Sequence, residues 1–320
     1  MLVNYLFPGQ GSQYHGMIRT LSNNLKEVKE VFEVASDIYG KDIEILCKTA
    51  TDHELQLTQN TQVAVLTMSI AYLRLLENRE IYPNIVAGHS LGQYAAMVAS
   101  RIISFENALE IVLLRSKMMS EIKRKGTMYA VLGVDDCKIR EVCEKISDEY
   151  GQVSIALYNT NSQIVIGGDE LYVVKACEEL KKLGALRVTQ LSVSQAFHTP
   201  LMKDMIKPFA ELVDKLQIKT PKCNIVLNST GDYETDKEAM RRELVNQCTY
   251  PVLWKHSMNR ILHNKDSVFV EVGSGKTLTG MMRSISNTTK VYALDDAKHF
   301  KKFVVMMSER REGKKEGQTA

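Results

Sequence analysis

Apolar positions recur along this chain in two alternating rhythms. Residues 2–7 form an uninterrupted apolar-rich run that predicts a buried strand, stopped by Pro8-Gly9. Residues 28–38 and 62–76 carry helical spacing. In the second, Val63, Leu66, Ile70, Leu73 and Leu76 return every three or four positions. A short apolar strand at 85–88 runs into Gly88-His-Ser-Leu-Gly92, followed by an Ala-rich helix over 93–100. Ser104 is a natural N-cap for the next helix, which faces Leu109, Val112, Leu113 and Met119 inward and carries Arg115.

From 127 to 191 the order changes. Strands at 128–132, 153–158, 163–166 and 186–191 alternate with helices at 135–146 and 171–183. That β-α-β-β-α-β order is the ferredoxin-like unit, which closes on itself and can sit as an insert. The chain therefore reads as a discontinuous α/β body, 1–126 with 192–307, around an inserted subdomain at 127–191. Helices are predicted at 208–216, 237–246 and 251–263, and a strand at 268–272. Residues 308–320 are polar and charged with no apolar period, which predicts a disordered tail.

Composition narrows the class. With 320 residues, 44% hydrophobic and 25% charged, the chain can bury a large core and is neither fibrous nor bulk-disordered. Net charge is +3, too balanced to imply nucleic-acid binding. Six scattered cysteines without a C-x-x-C pair predict neither a disulfide framework nor a zinc site. The opening segment lacks a basic flank, and no apolar run is long enough to span a membrane, so a cytoplasmic setting is expected.

Gly88-His-Ser-Leu-Gly92 is a G-x-S-x-G sequence in the strand-to-helix context of a nucleophile elbow. The glycines permit the sharp turn, and the following helix start offers N–H groups to an oxyanion. Ser90 is the candidate nucleophile. Of seven histidines, His89 adjoins it but should be turned away by the elbow. His198, in Ser194-Gln-Ala-Phe-His-Thr-Pro200 where the insert rejoins the body, is the candidate base. No aspartate is evident to orient it. A main-chain carbonyl near Gln247, at a helix end, can accept Nδ1–H instead. Arg115 fits a carboxylate grip, though a solvated or ion-paired helix arginine is the commoner occurrence. Gly273-Ser-Gly-Lys-Thr277 falls short of a phosphate loop, because Val270 stands where the first glycine belongs. A structural turn beside the elbow is expected there.

Together these residues resemble the malonyl-CoA:acyl carrier protein transacylase family, from residue 2 to about 295. The resemblance is carried by Phe7-Pro-Gly-Gln-Gly-Ser-Gln13, Thr61-Gln62, Gly88–Gly92, Arg115, Asn159, Phe197-His198, Gln247 and Glu271-Val-Gly-Ser-Gly275. It implies an α/β-hydrolase-like large subdomain with a parallel sheet, plus the ferredoxin-like insert. It also implies a ping-pong reaction with malonyl-CoA as substrate, an acyl carrier protein as partner, and no cofactor or metal. Ser90 and His198 would be catalytic, and the N–H groups of Gln10 and Leu91 the oxyanion hole. Arg115, Gln62, Phe197 and Asn159 would bind substrate, and Gln247 would orient the histidine. The sequence departs from the pattern at Gln93, where many members have Glu, at Leu157 for an asparagine, and at Ser274 for a proline. Gln93 removes a charge one turn from the nucleophile. That keeps an editing acyl hydrolase on the same scaffold as the alternative, while the retained Arg115 favours malonyl transfer.

Overall fold

A computed structural model describes residues 2–21, 25–264 and 266–316. Its ten strands among these residues are β1 (Leu2–Phe7), β2 (Ile85–Gly88), β3 (Gly126–Leu132), β4 (Val153–Tyr158), β5 (Gln163–Asp169), β6 (Arg187–Gln190), β7 (Asn224–Val226), β8 (Tyr233–Glu234), β9 (Ser267–Glu271) and β10 (Val291–Ala293). They form two sheets.

The larger sheet has the order β10-β9-β1-β2-β7-β8. All its pairings are parallel except the short edge strand β8. Both faces are covered, so its strands read as apolar runs rather than alternating ones. On β1, Val3, Tyr5 and Phe7 join one core with the helices Lys26–Tyr39, Thr58–Glu77, Gly92–Ala99 and Phe105–Glu121. Leu6 points the other way, into a second core with Trp254, Met258 and Ile261 of Trp254–Leu262 and with Leu278 and Met282 of Thr277–Ile285. Seventeen of the twenty residues of Thr58–Glu77 are buried, which explains its weak amphipathicity.

The smaller sheet is antiparallel with the order β4-β5-β3-β6, the arrangement of a ferredoxin-like unit. Period-two alternation serves two cores here. Val131 packs with helices Asp136–Ile146 and Glu170–Lys182, while Met128 and Ala130 face the main core. At its outer edge β4 meets the large body: Val252 bonds Ala156 and Tyr158, and Lys255 pairs with Asp136 at 2.7 Å.

Registers Phe7↔Gly88 and Leu6↔Glu271 bring the carboxyl ends of β1, β2 and β9 to one edge. Ligands of open parallel sheets bind at such an edge. The loops after all three strands meet there, and one of them carries Ser90.

The sequence pattern misses Ile43–Thr49, Asp52–Gln56, Thr277–Ile285 and the short strands β7, β8 and β10. It is corrected at the end of the chain. Helix Ala297–Glu316 occupies much of the span expected to be a disordered tail, and residues 317–320 lie outside the described residues. Phe303 is fully buried, and Phe300, Val304 and Met307 pack beside it at helical spacing. That packed stretch seeds the helix, and the Glu, Arg and Lys residues that follow, interrupted by Gly313, favour its extension. No helix among the described residues is long and apolar enough to cross a membrane.

Candidate active site

Strand β2 ends at Gly88 and the next helix begins at Gly92, so the chain reverses in three residues. Ser90 adopts φ +51°, the left-handed region, which costs a non-glycine residue roughly 1–2 kcal/mol. Both glycines are required by contact. A Cβ on Gly88 would lie 2.0 Å from the Gly92 carbonyl carbon, and one on Gly92 2.0 Å from the Phe7 oxygen. Backbone cannot yield as a flexible side chain does. Gly88→Ala is therefore expected to lower stability by about 3 kcal/mol in urea denaturation and to slow acylation in step. An unchanged denaturation midpoint would contradict the packing described.

The elbow presents the Ser90 hydroxyl to His198. Ser90 Oγ lies 2.6 Å from His198 Nε2. His198 Nδ1 lies 3.0 Å from the Gln247 carbonyl and 3.2 Å from that of Tyr250. Two carbonyls can only accept, so they fix the proton on Nδ1 and leave the Nε2 lone pair facing the serine. No aspartate is needed for this. His198 itself has φ +61°, a second strained backbone at the site. Burial, then the positive charge of Arg115 and the neighbouring His89, push His198 down to about 3. The imidazole is thus neutral at neutral pH, with its Nε2 lone pair unprotonated.

Arg115 completes the centre. Its Nη2 donates to Ser90 Oγ at 2.9 Å and its Nη1 to Gln62 Oε1 at 2.6 Å. Gln62 is held in turn by Met119 Sδ at 3.3 Å. Arg115 is 2% exposed, and its guanidinium lies 5.7 Å from the Tyr94 ring centroid. Among the described residues no carboxylate pairs with it, and its Nε has no hydrogen-bond partner. A buried cation without a counter-ion is expensive and waits for an anion.

The other predicted residues fall nearby. The Pro8–Ser12 turn packs on the elbow: a Cβ on Gly9 would touch the His89 oxygen at 2.5 Å. Gln10 lies on that turn and Leu91 follows the nucleophile. Among the described residues no acceptor takes the N–H of either. Phe197 is buried beside His198. His89 is turned away from Ser90 as expected. It bonds Asn159 at 2.9 Å and sits edge-on to Trp254, and burial lowers its pKa. Asn159, expected to bind substrate, spends its carboxamide on His89 and on Gln163 at 3.0 Å. The Gly273–Gly275 turn does flank the elbow loops. A Cβ on Gly273 would strike Pro8 and Ser69, and Gly275 lies against Ser12. The sequence does not reveal Asn228, whose Oδ1 accepts the Ser90 N–H at 2.8 Å across 138 residues. A groove of about 740 Å³ runs from His198 past Tyr250 to Tyr158 and Arg140 on the smaller sheet's flank.

Residues 4–306 match the model of the acyl transferase domain. A malonyl CoA-acyl carrier protein transacylase of Bacillus subtilis is 35% identical over 92% of this chain and 93% of its own length. The chain belongs to the malonyl-CoA:acyl carrier protein transacylase family. Solved relatives share the whole architecture. The acyl-carrier-protein S-malonyltransferase of Burkholderia pseudomallei superposes with a TM-score of 0.91 at 34% identity, covering 95% of this chain and 99% of that one. A malonyl-transacylase solved in complex with a type II PKS acyl-carrier protein gives 0.88 at 33% identity, over 92% and 96%. As a member of this family the chain is an acyltransferase.

Proposed function

We propose that this chain transfers a malonyl group from coenzyme A to the phosphopantetheine thiol of an acyl carrier protein, through an ester on Ser90. One observation carries the choice of acyl group: the buried, carboxylate-free Arg115 guanidinium 2.9 Å from Ser90 Oγ. A malonyl thioester brings both a carbonyl for Ser90 and a carboxylate for Arg115, one methylene apart.

In the first half-reaction His198 Nε2 takes the Ser90 proton as Oγ attacks the thioester carbonyl. The N–H groups of Gln10 and Leu91 stabilise the tetrahedral oxyanion. Its collapse breaks the C–S bond and expels the coenzyme A thiolate, which takes the proton from His198. In the second, His198 accepts the proton of the carrier thiol, the thiolate attacks the ester carbonyl, and Ser90 leaves with that proton restored. Arg115 exchanges its bond to Ser90 for the malonyl carboxylate, with Gln62 keeping the guanidinium in place. Phe197 narrows the space beside His198 against a branched acyl chain. No step requires a metal or cofactor.

A hydrolase on this scaffold would differ only in the second acceptor, water in place of thiol. The transacylase names of the relatives, together with the carrier-protein complex of one solved relative, favour the thiol. Supplying malonyl-CoA with and without holo-carrier protein distinguishes the two. Transfer predicts carrier-dependent turnover, whereas rapid release of malonate without carrier would indicate the hydrolase.

The depressed His198 pKa gives a second test. Its ordinary value is 6.5 and its folded value about 3. The acylation rate of the free enzyme is therefore expected to show no titration centred near 6.5. A clear inflection there would contradict a buried, neutral base. The linkage has the matching sign. As pH falls through 6.5 the unfolded chain takes up a proton that the folded chain refuses until about 3. This group's stabilisation is complete above the unfolded value and is lost progressively below it.

A further inference from the structure

The strained Ser90 backbone is gripped from both sides by side chains distant in sequence. Asn228 lies two residues beyond β7. Its Nδ2 donates to the Gly88 carbonyl at 2.6 Å and its Oδ1 accepts the Ser90 N–H at 2.8 Å, so one carboxamide spans the turn. Gln247 Nε2 donates to the Ser90 carbonyl at 2.7 Å and to Asn228 Oδ1 at 3.2 Å. The main-chain carbonyl of the same Gln247 receives His198 Nδ1–H. Asn228 and Gln247 therefore join the peptide of the nucleophile to the ring of the base.

Behind them lies a buried anchor. The Asn228 N–H donates to Gln93 Oε1 at 2.7 Å and to Glu243 Oε1 at 3.1 Å. Gln93 Nε2 donates to that same Glu243 oxygen at 2.8 Å, as does the Ser229 N–H at 3.2 Å. The Ser229 hydroxyl bonds Glu243 Oε2. Glu243 is 3% exposed and forms no ion pair among the described residues. The amide at position 93 is thus complemented by a carboxyl arriving from helix Lys237–Asn246.

We propose that Asn228 is a positioning residue for the nucleophile and that Glu243 is its buried anchor. The assembly holds Ser90 in the left-handed conformation that aims Oγ at His198, and it acts on the rate of acylation rather than on substrate affinity. Fixed side-chain networks of this kind set reacting geometry, and a displacement near 1 Å costs about 100-fold in rate. A network serving only the fold would show its loss in stability without separating rate from KM.

The proposal rests on Ser90 as the nucleophile, so Ser90→Ala is run in parallel. Full-length variants are mixed with malonyl-CoA and the acyl-enzyme is followed by rapid quench, with KM and thermal unfolding measured on the same samples. Asn228→Ala is expected to slow acylation about 100-fold with KM within about threefold of the parent. Asn228→Asp is expected to be slow as well, because its second oxygen would face the Gly88 carbonyl. It carries the same test should the alanine variant not fold. Glu243→Ala is expected to be slow, and Glu243→Gln to recover most of that loss. The glutamine oxygen can take the three N–H donors while its Nε2 donates to the Ser229 hydroxyl. Parent-like acylation in both Asn228 variants, a loss seen only in KM, or equal loss in the two Glu243 variants would overturn the proposal. An acyl-enzyme formed by Ser90→Ala would instead remove the nucleophile assignment itself.

Discussion

Ser90→Ala is expected to form no acyl-enzyme with malonyl-CoA, with turnover lower by on the order of 10⁵-fold or more. The size follows from geometry. Ser90 Oγ is the atom 2.6 Å from the base, and it also accepts a bond from Arg115. Removing it leaves His198 with nothing to deprotonate and the thioester with no covalent acceptor. The N–H groups of Gln10 and Leu91 and the groove beside His198 are untouched, so substrate is expected still to bind while chemistry stops. Intact-mass measurement after a brief exposure to malonyl-CoA checks this directly. A malonyl adduct of parent-like yield on the alanine variant would show that another residue carries the acyl group.

Arg115→Ala separates malonyl from acetyl thioesters. Removing one partner of a buried charge pair costs roughly 2–5 kcal/mol, so kcat/KM for malonyl-CoA is expected to drop by about three orders of magnitude. Acetyl-CoA has no carboxylate to lose. The guanidinium is unpaired in the free parent and in its acetyl-bound state alike, so its removal changes acetyl transfer little. Its rate is therefore expected to stay within about tenfold of the parent value, and the preference for malonyl collapses. Arg115→Lys restores charge but not the two-pronged geometry reaching Ser90 Oγ and Gln62 Oε1 together, so it is expected to recover only a small part of the loss. Equal losses for malonyl and acetyl substrates in Arg115→Ala would mean that the arginine supports the elbow rather than the substrate.

The parts of the site legible in the sequence are those encoded locally. Gly88 and Gly92 flank Ser90 because the turn tolerates no Cβ at either position, and that requirement is written in five consecutive residues. The β-α-β-β-α-β rhythm of the insert is likewise local, and its two helices and four strands fall within a few residues of their predicted ends. Long-range contacts leave no such trace. Asn228 reaches Ser90 across 138 positions and Gln93 meets Glu243 across 150, with no periodicity to advertise either. For the same reason the Gln93 departure from the family pattern reads in isolation as a lost charge, whereas the fold sets a carboxyl 2.8 Å away. Asn159 is the converse case. Its place in the pattern was legible, but its carboxamide is occupied by His89, and only the fold shows this. Strands of two or three residues such as β7, β8 and β10 are too short to carry a period. The helix at the chain's end is hard to read from sequence because its packed apolar positions, Phe300, Phe303, Val304 and Met307, are few and flanked by charged residues.

The most direct test isolates the malonyl-enzyme, freed of coenzyme A, and mixes it in a single turnover with holo-carrier protein carrying a free phosphopantetheine thiol. Label is expected to leave the Ser90 peptide and appear on the carrier thiol, at a rate that falls when His198 is replaced by alanine. Label located on another residue before mixing, or released chiefly as free malonate while the carrier stays unloaded, would contradict it.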